Sequence, residues 1–413
     1  MGTGSISGTS ARVTDREGAP IPHERGSRGY RTLTLSLFAA GLTTFVSMYS
    51  AQALLPAYAD GFHVSPAVSA LSVSVTTGLL ALAIVPASVV SERYGRTRVM
   101  VLSALVACAV GLLLPLSPNI GLLLAGRAIQ GVALAGIPAV AMAYLAEEVH
   151  PKDLGAAMGR YVAGTTIGGL VGRLVPSAVV DIGSWRWAME VSAVLALVFA
   201  VVMIRTLPAS QFFRPQRANP RTVLANVVTH LRDPALRTLF ALGFILMGGF
   251  VSVYNFLGFR LSAAPFGLPE SVVGLVFLLY LAGTYTSAAA GALSDRIGRR
   301  RVLLGAVGTT VVGLALTVPD TLPLVLLGMA LFTGGFFGAH SVAGGWVGRL
   351  ATEHRAEASA LYLLAYYLGS SVAGAAAGVA YAAAGWVGTA GFVGALLVIA
   401  IVLSVVMFRS NGD

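Results

Sequence analysis

The chain reads as an all-α integral membrane protein, with twelve transmembrane helices in two six-helix bundles. Three observations carry that reading: the composition, the alternation of basic and uncharged loops, and an internal duplication. Of 413 residues, 56% are hydrophobic and only 11% are charged, and the mean hydropathy is +0.81. Soluble domains carry about 25% charged residues, so this chain could not keep a globular surface in water. Its apolar residues fall in runs near the ~20 that cross a ~30 Å hydrocarbon core as helix.

Those runs place helices at roughly 32–57, 67–91, 98–116, 120–146, 156–180, 186–206, 234–260, 271–293, 301–318, 323–348, 358–383 and 388–408. Turn residues punctuate them, as in "SPN" at 117–119, "DIGSW" at 181–185 and "PDTLP" at 319–323. The first bundle is expected over 32–206 and the second over 234–408, joined by a basic linker at 207–233. Residues 1–31 are polar, rich in Gly, Ser and Arg, and read as a disordered cytosolic tail; 409–413 form a short cytosolic C-terminus. The first apolar run is too long for a secretory signal and lacks a small-residue cleavage site.

The loops alternate in charge. One set holds Arg93, Arg96, Arg98, Lys152, Arg160, Arg296, Arg299, Arg300, Arg301, Arg349 and Arg355, with further arginines in the tail and linker. The other set holds only Arg186 and Arg260, both at helix ends. Because Lys and Arg concentrate in cytosolic loops, both termini are expected inside a bacterial inner membrane, the parity that twelve spans require. The net charge of +10 follows from this topology and implies no nucleic-acid partner. The lone Cys108 sits in an apolar run, which leaves no disulfide or cysteine metal site. No metal or cofactor is expected.

The halves echo one another at an offset near 204. "FVSMYS" (45–50) returns as "FVSVYN" (250–255), "ERYGRTRVMVL" (92–102) as "DRIGRRRVLL" (295–304), and "GTTIGG" (164–169) as "GSSVAG" (369–374). Duplicated units in one orientation are typical of transporters that rock two bundles about a central site.

On these residues the chain resembles the major facilitator superfamily from about Leu33 to Phe408. "GALSDRIGRRR" (291–301) matches the family's G-x-L-A-D-R-x-G-R-[KR] loop, while the first-half copy has Ser88 for the leading Gly and Glu92 for the Asp. "RAIQG" (127–131) is similar to the fourth-helix motif of the bacterial drug:proton antiporter branch, and "YSAQALLP" and "GGLVGR" are similar to bacterial effluxers. The resemblance implies that Asp295 and Glu92, set among Arg93, Gly95, Arg96, Arg296, Gly298 and Arg299, act as conformational latches between rocked states. It further implies an acid in helix one, which this chain lacks, and a Gly-Pro pair in helix five, where Gly168-Gly169 stand instead.

Charges inside a membrane cost ~2.5–3.5 kcal/mol each on insertion scales and mark function by default. Arg127 in helix four and Arg173 in helix five lie at similar depth, with Tyr49 and Gln52 on helix one nearby, and Glu190 one turn into helix six. At the repeat offset Arg127 falls against Met329 and Arg173 against Gly378, so neither arginine is required by the bundle as such. Arg127 is expected to face the translocation path; Arg173 and Glu190 either share in transport or form a buried pair. The expected substrate site is therefore Tyr49, Gln52, Arg127, Gln130, Arg173, Tyr254, Asn255 and Tyr366, with Tyr280, Tyr285 and Tyr362 as further candidate aromatics. Glu190 and His340 are the candidate proton carriers, and the other reading of His340, which leads, is a neutral histidine hydrogen-bonded across helices.

Small residues at four-residue spacing let helices approach closely. Gly164, Gly168 and Gly172 do so on helix five, Gly283, Ser287 and Gly291 on helix eight, and Ser370, Gly374 and Gly378 on helix eleven. In the resembled fold these helices meet across the halves, so the stripes are expected to form the moving seam, or else to serve static packing.

The sequence bears on three function classes. A proton-driven exporter of small amphipathic compounds, working as a monomer in the bilayer, fits the motifs. A carrier of one metabolite, an organic anion or sugar, for uptake or exchange, fits the arginines. A membrane enzyme or ATP-driven pump finds no support: the sequence has no nucleotide loop, no metal-spaced histidines and no nucleophile paired with a base.

Overall fold

In hydrocarbon a backbone can satisfy its N–H and C=O groups only within helices or closed barrels, so each apolar run is bound to fold as helix. A computed structural model, which describes residues 21–214, 220–351 and 353–410, shows this outcome. The first half comprises α1 (Arg28–Phe62), α2 (Pro66–Tyr94), α3 (Arg96–Leu116), α4 (Ile120–Glu148), α5 (Pro151–Val180) and α6 (Trp185–Thr206). The second comprises α7 (Pro234–Ser262), α8 (Glu270–Ile297), α9 (Arg299–Leu316), α10 (Leu322–Leu350), α11 (355–383) and α12 (386–410). Ten segments are long and apolar enough to cross a membrane by themselves. One of the ten contains both α11 and α12, which run on as a single helix broken at Ala384 and Gly385. Adding α9, excluded only by its three leading arginines, gives twelve.

Two glycines set the hairpins at the arginine-rich loops. Gly95 (φ +102°) joins α2 to α3, and Gly298 (φ +89°) joins α8 to α9. Both occupy a conformation closed to other residues, which explains the repeated glycine of the motif. These loops, the α4–α5 loop and the linker share one end of the bundle, here called the basic end.

The expected tail and linker are more ordered than their composition suggests. Residues 1–20 and 411–413 lie outside the described residues, but His23 donates its N–H to the Glu148 carbonyl (2.8 Å) and accepts from His150 N–H (3.1 Å). Lys152 pairs with Glu24 at 3.1 Å. Glu148, fully buried, accepts at one oxygen from Ser210 Oγ (2.5 Å), Gln211 N–H (2.7 Å) and Phe212 N–H (3.1 Å). The start of the linker is thereby pinned to the first half. Its later part forms a helix, Pro220–Arg232, tied to α11 through Asn226 and Glu357 (3.1 Å).

The two halves meet through the end opposite the basic one. α5 packs on the first turns of α8, where Ser271 N–H donates to Asp181 (2.8 Å). α2 packs along α11 from Ala67 beside Gly378 to Ser74 beside Gly374, then Thr77 beside Ser370. Below that level Tyr367 joins Met48, Leu80 and Ala81 in one cluster. The hydrogen bonds described between the halves all lie between this level and the opposite end.

The glycine stripes divide differently from expectation. Gly374 and Gly378 do face α2 across the seam, but Gly164, Gly168 and Gly172 lie against Phe38, Leu42 and Val46 of α1, inside the first half. Gly283 lies under Phe337 of α10, inside the second half, and Gly291 has no neighbour within 4 Å of an added Cβ. The reason is crowding: α1 carries larger side chains, so α5 must be small to let its backbone approach. An added Cβ at Gly164, Gly168 or Gly172 would sit 2.3–2.8 Å from α1 backbone atoms. Alanine at any of the three should cost ~1–3 kcal/mol and lower the midpoint of thermal unfolding in detergent. Gly291→Ala should leave that midpoint unchanged or raise it slightly.

Candidate functional site

The first helix is not continuous. α1 is α-helical to Tyr49, tightens to a 3-10 turn over Ser50–Leu54 and resumes at Leu55. Its repeat partner α7 is one unbroken α-helix. The tightened turn places Gln52 between α5 and α7, where it accepts from Arg173 Nε (2.7 Å) and donates to Asn255 Oδ1 (2.8 Å). An arginine of one half is thus linked through a single amide to an asparagine of the other.

Arg173 is the centre of this group. It is 3% exposed, and it donates a second bond to the Gly169 carbonyl (2.6 Å). Its guanidinium carbon lies 3.8 Å from the ring centre of Tyr49, 4.7 Å from Tyr280 and 5.3 Å from Phe277. Cation–π attraction strengthens when the partners are desolvated, to ~2 kcal/mol or more, and three rings here replace a counter-ion. Among the described residues Arg173 has no ion pair, and the expected partner Glu190 makes neither a hydrogen bond nor a salt bridge. Glu190 is half-buried on α6, away from this group.

Around the cation stand polar groups without partners. Tyr280 Oη, Asn255 Nδ2 and Ser74 Oγ are buried and make no hydrogen bond among the described residues. Tyr254 is satisfied instead, by Thr333 Oγ1 at 2.7 Å. Unpaired buried donors are costly, ~1–3 kcal/mol each, so their gathering beside a cation favours occupancy by water or solute. Toward the basic end the lining changes to Phe45, Tyr366 and His340, all partly exposed. His340 shares a hydrogen bond with Tyr362 (2.9 Å), stacks on Phe336 and lies tilted against Tyr366.

Arg127 and Gln130 fall elsewhere. Arg127 is wholly buried within the first half. Its Nη1 donates to the Ser47 carbonyl (2.8 Å) and to Gln130 Oε1 (2.6 Å), its Nη2 to the Met48 carbonyl (2.6 Å), and its Nε to the Ser72 carbonyl (3.1 Å). Gln130 in turn donates to the Ala107 carbonyl (3.1 Å). The expectation that Arg127 faces the path is therefore corrected: the guanidinium binds α1 carbonyls where that helix tightens. The repeat comparison misled because Met329 serves an α7 that has no such turn.

The loop residues of the repeated motif are in their places. Asp295 contacts Arg299 (3.4 Å) and Arg349 (3.5 Å), both in its own half, and stays 62% exposed. Arg96 bonds Glu147 (2.8 Å) and Ser91 (2.7 Å). Arg93 lies over the Tyr94 ring (5.3 Å), Glu92 lines a small cavity with Arg96 and Glu147, and Arg296 is exposed. No described hydrogen bond or ion pair joins Glu92 or Asp295 to the other half, so any latch is disengaged here. Phe277 went unrecognised in the sequence, because a phenylalanine inside "LVFLLY" carries no signal beyond greasiness; Asp181 with Ser271 was missed as a loop pair.

Comparison with known proteins agrees with this architecture. The family model described as Major Facilitator Superfamily matches residues 37–269 and 253–412. The chain is 40% identical over 410 residues to the inner membrane transport protein YnfM of Escherichia coli, covering 98% of each. It is 38% identical over 386 residues to the uncharacterized MFS-type transporter YybF of Bacillus subtilis, covering 94% of this chain and 96% of that one. Among solved structures, a bacterial homolog of the human lysosomal transporter Spinster, inward-facing and unoccupied, superposes with a TM-score of 0.78 at 16% identity, covering 93% and 98%. A D-xylose-proton symporter gives 0.69 at 16% identity, covering 92% and 96%. At such identity these structures speak to fold alone.

The two arginines should part company under mutation. Arg127→Ala leaves the Met48 carbonyl and Gln130 Oε1 buried without the donor they have here, while the Ser47 and Ser72 carbonyls keep Ser50 Oγ and Thr76 Oγ1; the loss is on the order of 3 kcal/mol and should sharply reduce the monodisperse fraction after detergent extraction. Arg173→Ala should extract nearly as well as the parent. Equal behaviour of the two variants on size-exclusion would contradict the clamp assigned to Arg127.

Proposed function

The chain belongs to the major facilitator superfamily, and on that premise we propose that it is a secondary active transporter, a proton-coupled exporter of small amphipathic compounds working by alternating access. The observation that carries this reading is Arg173: a buried cation at the junction of the halves, ringed by aromatic faces and unpaired donors, with no carboxylate beside it. Such a lining suits a solute with an apolar or aromatic body and one anionic or strongly accepting group.

The halves touch toward the opposite end and part toward the basic end. With the basic loops in the cytosol, this is an inward-facing state, ready to take solute from inside. A solute group that binds Arg173 competes with Gln52 for the same guanidinium. Gln52 also holds Asn255, so binding loosens the contact that keeps the outer side shut. That gives the solute differential affinity for the two states, which a population shift requires.

For the proton, the described carboxylates lie at helix ends and in loops, with Glu190 no more than about a turn in. His340 lies among the aromatics toward the basic end, its ring centre 4.7 Å from that of Tyr366, and we assign it the proton. Its tyrosine partner on α11 makes its charge sensitive to movement of that helix.

A second reading is favoured by the same cation: exchange or uptake of a defined organic anion without proton coupling. Everted vesicles with an imposed pH gradient separate the two. Gradient-driven accumulation of amphipathic dyes, weakened by His340→Gln, supports export; anion counterflow indifferent to the gradient supports exchange. In either case Arg173→Ala should lower flux ~10- to 100-fold, the worth of one charged hydrogen bond, while Arg173→Lys retains part of it. Unchanged flux in Arg173→Ala would sink both readings.

A further inference from the structure

We infer that residues 21–27 form a pH-operated fastening at the basic end, docked while the His23 ring is neutral and released when it takes a proton. The segment runs beside the end of α4 before entering α1. There His23 makes a short parallel bridge, its N–H donating to the Glu148 carbonyl (2.8 Å) and its carbonyl accepting from His150 N–H (3.1 Å). At the rim Lys152 reaches Glu24 at 3.1 Å, and Arg25 N–H donates to Asp153 (2.8 Å). The Lys152–Glu24 pair is about half exposed, and such surface pairs contribute little. The imidazole is the inner anchor. It is 5% exposed and lies so close to Gly29 of α1 that any side chain there would collide with it.

This setting suits a neutral ring and not a cation. His23 Nε2 is buried without a partner, and so is Oε2 of Glu148. The two groups are near enough to interact and yet are not bonded to each other, because the other oxygen of Glu148 already takes three donors from the linker. A buried charge without a bonded partner is costly. Burial therefore holds the His23 pKa below the ordinary histidine value, outweighing the upward pull of Glu148. The other charged groups beside the segment are engaged elsewhere: Lys152 with Glu24, and Asp153 with the Arg25 N–H. His150 turns its Nδ1 to the Lys152 N–H (3.3 Å), Ser27 caps α1 just before Arg28 and Arg31, and linker residues Ser210, Gln211 and Phe212 carry no titrating side chain.

The direction of the response follows. Released into water, His23 takes a proton near the ordinary pKa of ~6.5, whereas the docked ring resists it. Protons thus bind the released form better. Docking is whole above that pH and weakens as the pH falls through it, by at most about tenfold per unit for one proton. Glu148 holds the leading segment by its carbonyl and the linker by its carboxylate, so acid release of one uncovers the anchor of the other.

A nitroxide on Ile21→Cys in a Cys108→Ser background, in the full chain reconstituted into bilayers, reads docking by its mobility. Ile21 is exposed, so the label itself does not prise the segment away. The mobile fraction, small at pH 7.5, should grow reversibly down to pH 5.5. His23→Leu should keep the label still over that range, and His23→Lys should free it throughout. Hydrogen exchange at the His150 amide of the unsubstituted chain gives a second measure. Corrected for its intrinsic pH dependence, it should quicken by up to about tenfold between pH 6.5 and 5.5. A label or an amide indifferent to pH overturns the inference. A pH response that survives in His23→Leu overturns it too, since another group would then be titrating.

Discussion

The structure depends on how a membrane helix can be broken without stranding its backbone. α1 tightens at Ser50, where the Ser47 carbonyl accepts from Ser50 Oγ (3.3 Å) as well as from Arg127, while among described side chains the Met48 carbonyl accepts from Arg127 alone. Arg127 meets both, reaches Ser72 on α2 as well, and is itself steadied by Gln130. The charge is thereby spread over carbonyl dipoles of two helices, a solvent built from the protein. Everything at the junction follows, because the tightened turn is what brings Tyr49 and Gln52 to Arg173. The two arginines lie at similar depth and differ in what they hold: Arg127 directs four of its five N–H donors to the first half, while Arg173 is linked through Gln52 to the second.

That division explains what could be read from the chain and what could not. Helix number, the two halves and the glycine-turned loops follow from apolar run length, charge alternation and repetition, all of which are one-dimensional signals. Arg127, Arg173, Glu190, Tyr49 and Gln52 were also legible as a layer, since depth in a membrane can be counted in residues, but only Arg173, Tyr49 and Gln52 come together. Facing could not be counted. Whether Arg127 turned inward to α1 or outward to the seam depended on a local change of helix type that leaves no mark in hydropathy. The same limit hid the partners of Gly164, Gly168 and Gly172, because a stripe of small residues shows that something approaches closely and not which helix it is.

The join between the halves is chemically thin. Amide to amide, hydroxyl to hydroxyl and glycine against alanine make up much of it, with no ion pair across it among the described residues. Neutral hydrogen bonds contribute ~0.5–1.5 kcal/mol each net; the charged contacts across it are the Ser271 N–H to Asp181 bond and Arg173 over the Tyr280 and Phe277 rings. Within each half the glycine-backbone contacts and the buried guanidinium are far stiffer. Rigid bodies with a weak seam are what rocking requires.

The linker is divided between the halves: residues up to Arg214 are stapled to the first through Glu148, and the helix from Pro220 is anchored on α11 through Asn226. From Phe212, the last residue bonded to Glu148, to Pro220, where the helix starts, is eight peptide steps (220 − 212), at most ~28 Å when fully extended. Covalent length alone therefore caps how far the basic ends of the two halves can swing apart, like a check-strap on a door.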